Sequence, residues 1–252
     1  MKYIDINCDL GEGYGLYSFG NDKKIMKYIS SVNIACGFHA GDPFIMKKTV
    51  KLALENNISV GAHPGYNDIQ GFGRRHINLS LEEIRDVLIY QIGALDAFLK
   101  TFGSKLHHVK PHGALYNLAC ENYDVAFAIA KAVYDYDKDL ILYGLFNSKM
   151  IEASKNIGLR YANEIFADRR YDKNSNLVSR KIENSVIKST NESIKQCLSI
   201  IKNNETVCIS GEKIILHGDT LCIHSDGEHA LDFAKNIKEQ FDKNEIIVKL
   251  IV

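Results

Sequence analysis

The chain has 252 residues, 46% hydrophobic and 25% charged, enough to bury a full core and consistent with one domain over residues 1–252. Its 31 basic and 31 acidic side chains cancel, which excludes a basic footprint for nucleic acid and a polybasic run for anionic lipid, and leaves a small molecule or a protein as the expected partner. No charged and then apolar leader opens the sequence, no apolar run reaches the roughly 18 residues that span a bilayer, and none of the six cysteines forms a C-x-x-C pair. A cytoplasmic protein with no membrane association and buried, reduced thiols is expected.

β-Branched runs alternate with helical patterns along the chain. Lys2 to Cys8 reads as the first strand and opens into Asn7-Cys8-Asp9-Leu10-Gly11-Glu12-Gly13-Tyr14-Gly15. Glycine at alternating positions brings backbone close to a ligand, but Leu16 breaks the G-x-G-x-x-G spacing, and no G-x-x-x-x-G-K-[ST] occurs, so the common nucleotide cradles are absent. Val32 to Cys36 is the second strand, after which His39 lies between Gly37 and Gly41, and Asp42 and Pro43 read as the N-cap and first residue of a helix running to about Asn56.

Ser59 to Ala62 leads into His63-Pro64-Gly65 and then Gly71-Phe72-Gly73-Arg74-Arg75, whose paired guanidiniums suit a carboxylate or phosphate. Ser80 and Glu83 form a capping box before apolar residues at helical spacing. Leu106 to Lys110 is the fourth strand, with His108 and Lys110 on one face, and it ends in Pro111-His112. Lys110 is the candidate inward lysine; His107 and His108 read as a wall residue and a solvated one. Asp124 to Asp135 is helical, Leu140 to Phe146 and Tyr161 to Ala167 are strands, and Asp168 to Thr190 is a long charged segment, either a lid or a solvated excursion. A helix from Ser189 to Asn203, strands at Glu205 to Ile209 and Thr220 to His224, and a helix from Asp226 to Lys243 complete the pattern.

This βαβα order predicts a parallel sheet with helices outside, and chemistry collects where such strands end. The informative side chains all follow strand ends: Asn7, Asp9 and Glu12, then His39, then His63, then Lys110 and His112, and later Glu164, Asp168, Arg169 and His224. Asp9 could ligate a metal, act as a base or brace its loop. Asp9, His39 and His63, or His112 in place of His63, are a candidate N/O ligand set for a divalent metal, although no tight motif such as H-E-x-x-H is present. The metal-free version has an Asp or His activating water while Lys or Arg stabilises an oxyanion; with no G-x-S-x-G elbow, water is the expected nucleophile either way.

The runs N-C-D-L-G-E-G-x-G from position 7, N-I-A-C-G-F-H-A-G-D-P from 33, G-A-H-P-G-Y-x-D-x-x-G-F-G-R-R from 61, Y-Q-I-G-A-L from 90, V-K-P-H-G-A-L-Y-N from 109 and E-x-F-A-D-R-x-Y from 164 together resemble the LamB/YcsF family. The resemblance implies a distorted (β/α) barrel, seven-stranded and related to the glycoside hydrolase and deacetylase barrels. It also implies work with partner subunits B and C that opens 5-oxoproline (pyroglutamate) to L-glutamate, with ATP as a co-substrate used by the partners. Under that reading Asp9 and His63 position or activate water, His39 and His112 move protons, and Lys110 meets the phosphorylated oxygen. Arg74 or Arg75 takes the substrate carboxylate or phosphate, and Asn7, Glu12, Asn117, Asp168 and Arg169 complete the substrate contacts. Two departures stand out: Cys222-Ile223-His224-Ser225-Asp226 against the usual C-x-H-G-D, and Ser175 to Arg180 against G-x-L-V-P-R. The competing readings are a stand-alone metal-dependent deacetylase or amidohydrolase, and a non-catalytic ligand-binding regulatory subunit.

Overall fold

The computed structural model describes residues 1–17, 21–224 and 230–252. In chain order the elements are β1 (Lys2–Leu10), α1 (Asp22–Ile25), β2 (Ser31–Ala35), α2 (Pro43–Glu55), β3 (Ser59–His63), α3 (Leu81–Thr101), β4 (His108–Val109), α4 (Gly113–Glu121), α5 (Tyr123–Tyr136), β5 (Ile141–Leu145) and α6 (Lys149–Ile157). They continue with β6 (Arg160–Phe166), α7 (Thr190–Asn203), β7 (Glu205–Val207), β8 (Lys213–Ile215), β9 (Thr220–His224), α8 (Ala230–Lys243) and β10 (Ile246–Val248). Strands β1 to β6 pair in sequence, all parallel, and β9 closes the ring by pairing with both β6 and β1, giving a seven-stranded parallel barrel wrapped by helices.

Local chemistry sets the helix starts. Asp42 caps α2 by accepting from the Phe44 and Ile45 amides at 2.8 and 2.9 Å, with Pro43 in the first turn, and Ser80 with Glu83 forms the full capping box of α3. The helix expected from Asp226 is described from Ala230; Ser225 and Asp226 lie outside the described residues.

Two expected features differ. Glu205 to Ile209 does not join the parallel sheet, because Lys213–Ile215 pairs back on it as an antiparallel hairpin, turned by Gly211 at φ +92°. A short strand after α8 instead pairs with the start of β1, Lys2 to Ile4.

Alternation along β1 divides polar from apolar. Ile4, Ile6, Cys8 and Leu10 pack into the large apolar cluster beneath the helices, whereas Asp5, Asn7 and Asp9 meet polar partners from strands around the ring. The barrel core is therefore a stack of hydrogen-bonded side chains. At its base Asp5 is fully buried and accepts from the hydroxyls of Ser30, Ser31, Thr220 and Tyr143, at 2.6, 2.8, 2.6 and 3.2 Å. Above it, Asn7 donates to Glu164 and Thr220 and accepts from Asn33, which in turn is 2.7 Å from His108 Nε2. His108 is thus not solvated: it is completely buried and stacked on Tyr143 with ring centroids 4.1 Å apart, while His107 reaches the Ile251 carbonyl.

Gly61 exists because of this ring. A Cβ there would lie 2.1 Å from His108 Nε2, and Asn33 and Tyr143 prevent the imidazole from withdrawing. Gly61→Ala is expected to destabilise the protein by about 1–3 kcal/mol in urea unfolding. Gly93→Ala, within α3 and with its nearest neighbour at 4.0 Å, is expected to stabilise by up to about 1 kcal/mol.

Candidate active site

Register brings the reactive groups to one rim. Asp9 at the end of β1 pairs with Asn33 of β2 on one side and His224 of β9 on the other, His63 ends β3, and Lys110 follows β4. These side chains floor a cleft of about 410 Å³, whose wall is completed by Arg74, Asn117, Phe166, Arg169, Arg180 and others.

Lys110 is the hub. It is 3% exposed, and its ammonium is 3.0 Å from Asp9 Oδ1, 2.8 Å from Glu164 Oε1, 3.2 Å from Asn7 Oδ1 and 3.0 Å from Cys222 Sγ. Three N–H donors are thereby engaged within the protein. Burial opposes charge at this depth, yet Asp9 and Glu164 hold the ammonium well above the usual lysine range, and His63 and Lys110 hold the Asp9 carboxyl well below the carboxylate range. Lys110 and Asp9 are an ion pair that neither water nor a ligand needs to supply.

Three imidazoles lie beside this pair. His63 Nδ1 is 2.7 Å from the Lys110 carbonyl and His112 Nε2 is 2.9 Å from the Phe72 carbonyl. A carbonyl only accepts, so in the neutral rings each proton resides there, and the bare His63 Nε2 and His112 Nδ1 face one another at 2.9 Å. Burial, reinforced by the neighbouring imidazoles, keeps His39 and His112 well below the usual histidine range and therefore neutral at pH 7. Two opposed lone pairs need a cation between them, either a proton or a metal ion. Asp9 Oδ2 stands 3.4 Å from His63 Nε2, and Glu12 Oε1 stands 3.6 Å from His112 Nδ1 and 3.5 Å from His39 Nε2.

Glu12, His39, His63 and His112 each offer a donor atom within 4.8 Å of the others, while Asp9 groups with Cys222 and His224 in a second such set. His39 stacks flat on His112, with centroids 3.7 Å apart and planes 1° from parallel. Parallel rings cannot both direct in-plane lone pairs at one ion, so His63 and His112 are the better nitrogen pair and the carboxylates of Glu12 and Asp9 flank it. The expected metal set of Asp9, His39 and His63 thus becomes a candidate set centred on His63 and His112, with His39 behind.

The remaining expected residues separate. Glu12, Arg74, Asn117 and Arg169 line the cleft. Asn7 is sealed below the floor by its four polar partners. Arg75 is not brought in: its side chain is 63% exposed and forks onto Asp68. Asp168 binds His224 Nδ1 through both oxygens at 2.9 Å, and His224 lines the cleft. The charged segment after β6 does not run off into solvent. It folds across the mouth, where Asn176, Ser179, Arg180 and Lys181 join the wall, held by bridges from Arg169 to Val186 and from Tyr171 to Leu177. Glu164 as the second anchor of Lys110, and Arg180 as a wall residue, carried no short-range signal beyond lying near strand ends or in a charged run.

A family model described as the LamB/YcsF family matches residues 4–251. The chain is 50% identical over 249 residues to a protein of Bacillus thuringiensis subsp. konkukian named as the A subunit of 5-oxoprolinase, and 49% identical to one of the same name from Bacillus cereus strain Q1, with 98% of each chain covered in both cases. The solved structure of a lactam utilization protein from Thermus thermophilus superposes over the full length of both chains with a TM-score of 0.94 and 40% identity. A family 4 carbohydrate esterase from Streptomyces lividans, at 11% identity and a TM-score of 0.51 over 100% of this chain and 93% of its own, shares the fold alone.

Lys110→Met leaves Asp9 and Glu164 facing each other in the barrel without a counterion. A loss of about 3–5 kcal/mol in urea unfolding is expected. Arg75→Ala, at an exposed pair outside the cleft, is expected to cost less than about 1 kcal/mol.

Proposed function

The chain belongs to the LamB/YcsF family, and from that premise we propose that it is the ring-opening subunit of an ATP-dependent 5-oxoprolinase, converting 5-oxoproline to L-glutamate with partner subunits B and C. Identity of 49–50% over 98% of the chain with proteins named as the A subunit of 5-oxoprolinase supports this reading, and the observation that carries it is a cleft floored by Asp9 with its Oδ2 3.4 Å from His63 Nε2, with room for a small lactam. With no nucleotide cradle in the sequence, ATP is assigned to the partners, which would phosphorylate the lactam carbonyl oxygen and so make a stable amide a better electrophile. The free thiols and the absence, among the described residues, of a helix long and apolar enough to cross a membrane suit a cytoplasmic setting.

The ring-opening roles follow from the contacts. Water bound between Asp9 Oδ2 and His63 Nε2 loses a proton to one of them as its oxygen adds to the activated carbonyl carbon. Lys110 keeps Asp9 ionised for that step. The C–N bond then breaks, the nitrogen leaving as the amine after accepting a proton from His224, whose ring Asp168 orients, and the carbon is left as an acyl phosphate, which a second water cleaves to glutamate and inorganic phosphate. His112 Nδ1, 2.9 Å from His63 Nε2, exchanges protons with it, and His39 stacks behind His112.

A divalent cation fits the donor set of His63, His112, Glu12 and Asp9, where it would polarise the carbonyl oxygen. This favours, as a second reading, an amide hydrolase that acts without partners.

The direct test is reconstitution. Glutamate release should require ATP, both partner subunits and this chain, and omission of this chain should abolish it; partner-free hydrolysis of 5-oxoproline or of an acetylated sugar would overturn the assignment. Elemental analysis of protein purified without chelators separates the readings: about one zinc- or manganese-class ion per chain, lost in His63→Ala with His112→Ala and accompanied by partner-free amide hydrolysis, would favour the second, whereas the first expects ring opening that does not depend on such an ion.

A further inference from the structure

The mouth of the cleft has an electrostatic character opposite to its floor. Arg74, Arg169, Arg180 and Lys181 all line it. Arg169 is only 6% exposed and gives one Nη2 proton to the Val178 carbonyl at 2.6 Å, but its Nε is buried with no hydrogen-bond partner. An unsatisfied guanidinium N–H in a buried position costs free energy unless a ligand meets it. Burial, with Arg180 and Arg74 among the charges nearby, lowers the Arg169 pKa, showing that these guanidiniums share one field. Asp168 is the carboxylate within that field and is already bound to His224; Glu12 and Glu121 also line the cleft.

The floor offers an anionic group no free ammonium proton. Lys110 has its three donors engaged by Asn7, Asp9 and Glu164, so the expectation that it meets a phosphorylated oxygen loses its free N–H. Any anionic group on the ligand must be met higher up. Three guanidiniums and an ammonium gather at the mouth, the buried Nε of Arg169 has no protein partner, and the guanidinium fork matches phosphoryl oxygens bidentately.

We infer that Arg169 and Arg180, on the segment crossing the mouth, together with Arg74 on the loop after β3, form a phosphoryl-binding subsite. This rests on the reading above and deepens it: the chain receives a ligand that is already phosphorylated, and the segment from 168 to 189 is a functional wall built to hold that group. Because Arg180 is exposed at the rim, it can be changed without disturbing the core.

The test is direct binding to the isolated chain, which involves neither ATP nor partners and so stands or falls separately from the activity. Inorganic phosphate is titrated calorimetrically into wild type, Arg180→Gln, Arg74→Gln and, as a control outside the cleft, Arg75→Gln, at fixed ionic strength; 5-oxoproline is titrated into the same set. Phosphate should bind wild type and Arg75→Gln alike and at least tenfold more weakly to Arg180→Gln and Arg74→Gln, while 5-oxoproline affinity changes less than threefold. Equal phosphate affinity across all four proteins would overturn the subsite. A loss of 5-oxoproline affinity as large as that for phosphate would also overturn it, by making the cluster a carboxylate site.

Discussion

A lysine ammonium held inside a barrel between two carboxylates is the constraint from which the rest of this structure follows. Removing an ion from water costs several kcal/mol, and only close, complementary partners offset it. Lys110 meets that condition with Asp9 and Glu164 at 3.0 and 2.8 Å, and those partners must themselves be held. Asn33 donates to Asp9, Asn7 donates to Glu164, and His108, Thr220 and Asp5 continue the chain of donors and acceptors to the base of the barrel. Gly61 is small because His108 must fit, and His108 is there because Asn33 needs a partner. A conventional barrel fills this space with Val, Ile and Leu; here hydrogen-bonded polar side chains take much of it, and the large apolar cluster packs beneath the helices, with a small second one of Ile141, Tyr143 and Ala162.

Fixing charge at the floor has consequences for the chemistry above it. His63 and Lys110 hold the buried Asp9 carboxyl well below the usual carboxylate range, and its second oxygen faces His63. The same arrangement engages the lysine's donors. On the proposed reading, floor and mouth divide the work, with proton handling below and anion binding above, and the segment from Asp168 to Thr190 serves the second part.

Much of this was legible in the sequence because it depends on local chemistry. The N-cap at Asp42, the capping box at Ser80 and the strand-end positions of Asp9, His63, Lys110 and His112 are readable from neighbours a few residues apart. What was not legible depends on register around a closed ring. Glu164 is 54 positions from Lys110 and meets it only because the ring closes, β6 pairing with β9 and β9 with β1. Arg75 looked equivalent to Arg74 until the loop turned one toward the cleft and the other onto Asp68. His108 looked solvated because a lone polar residue in a short strand gives no sign of an interior lined with asparagines. The strand at Glu205 to Ile209 had the right composition for the barrel, but a partner eight residues away captured it.

The central claim is that an Asp9 carboxylate kept ionised by Lys110 performs the hydrolytic step in this chain and not in a partner. Asp9→Asn preserves shape and removes only the charge, so the decisive measurement compares ADP formation with glutamate release in complexes of partner subunits with wild type or this variant, after circular dichroism establishes equal folding. The account predicts that glutamate release falls by about 10²- to 10⁴-fold, the range for loss of a general base, while the partners still form ADP without matching glutamate. Glutamate release at the wild-type rate, still coupled one-to-one to ADP, would contradict it.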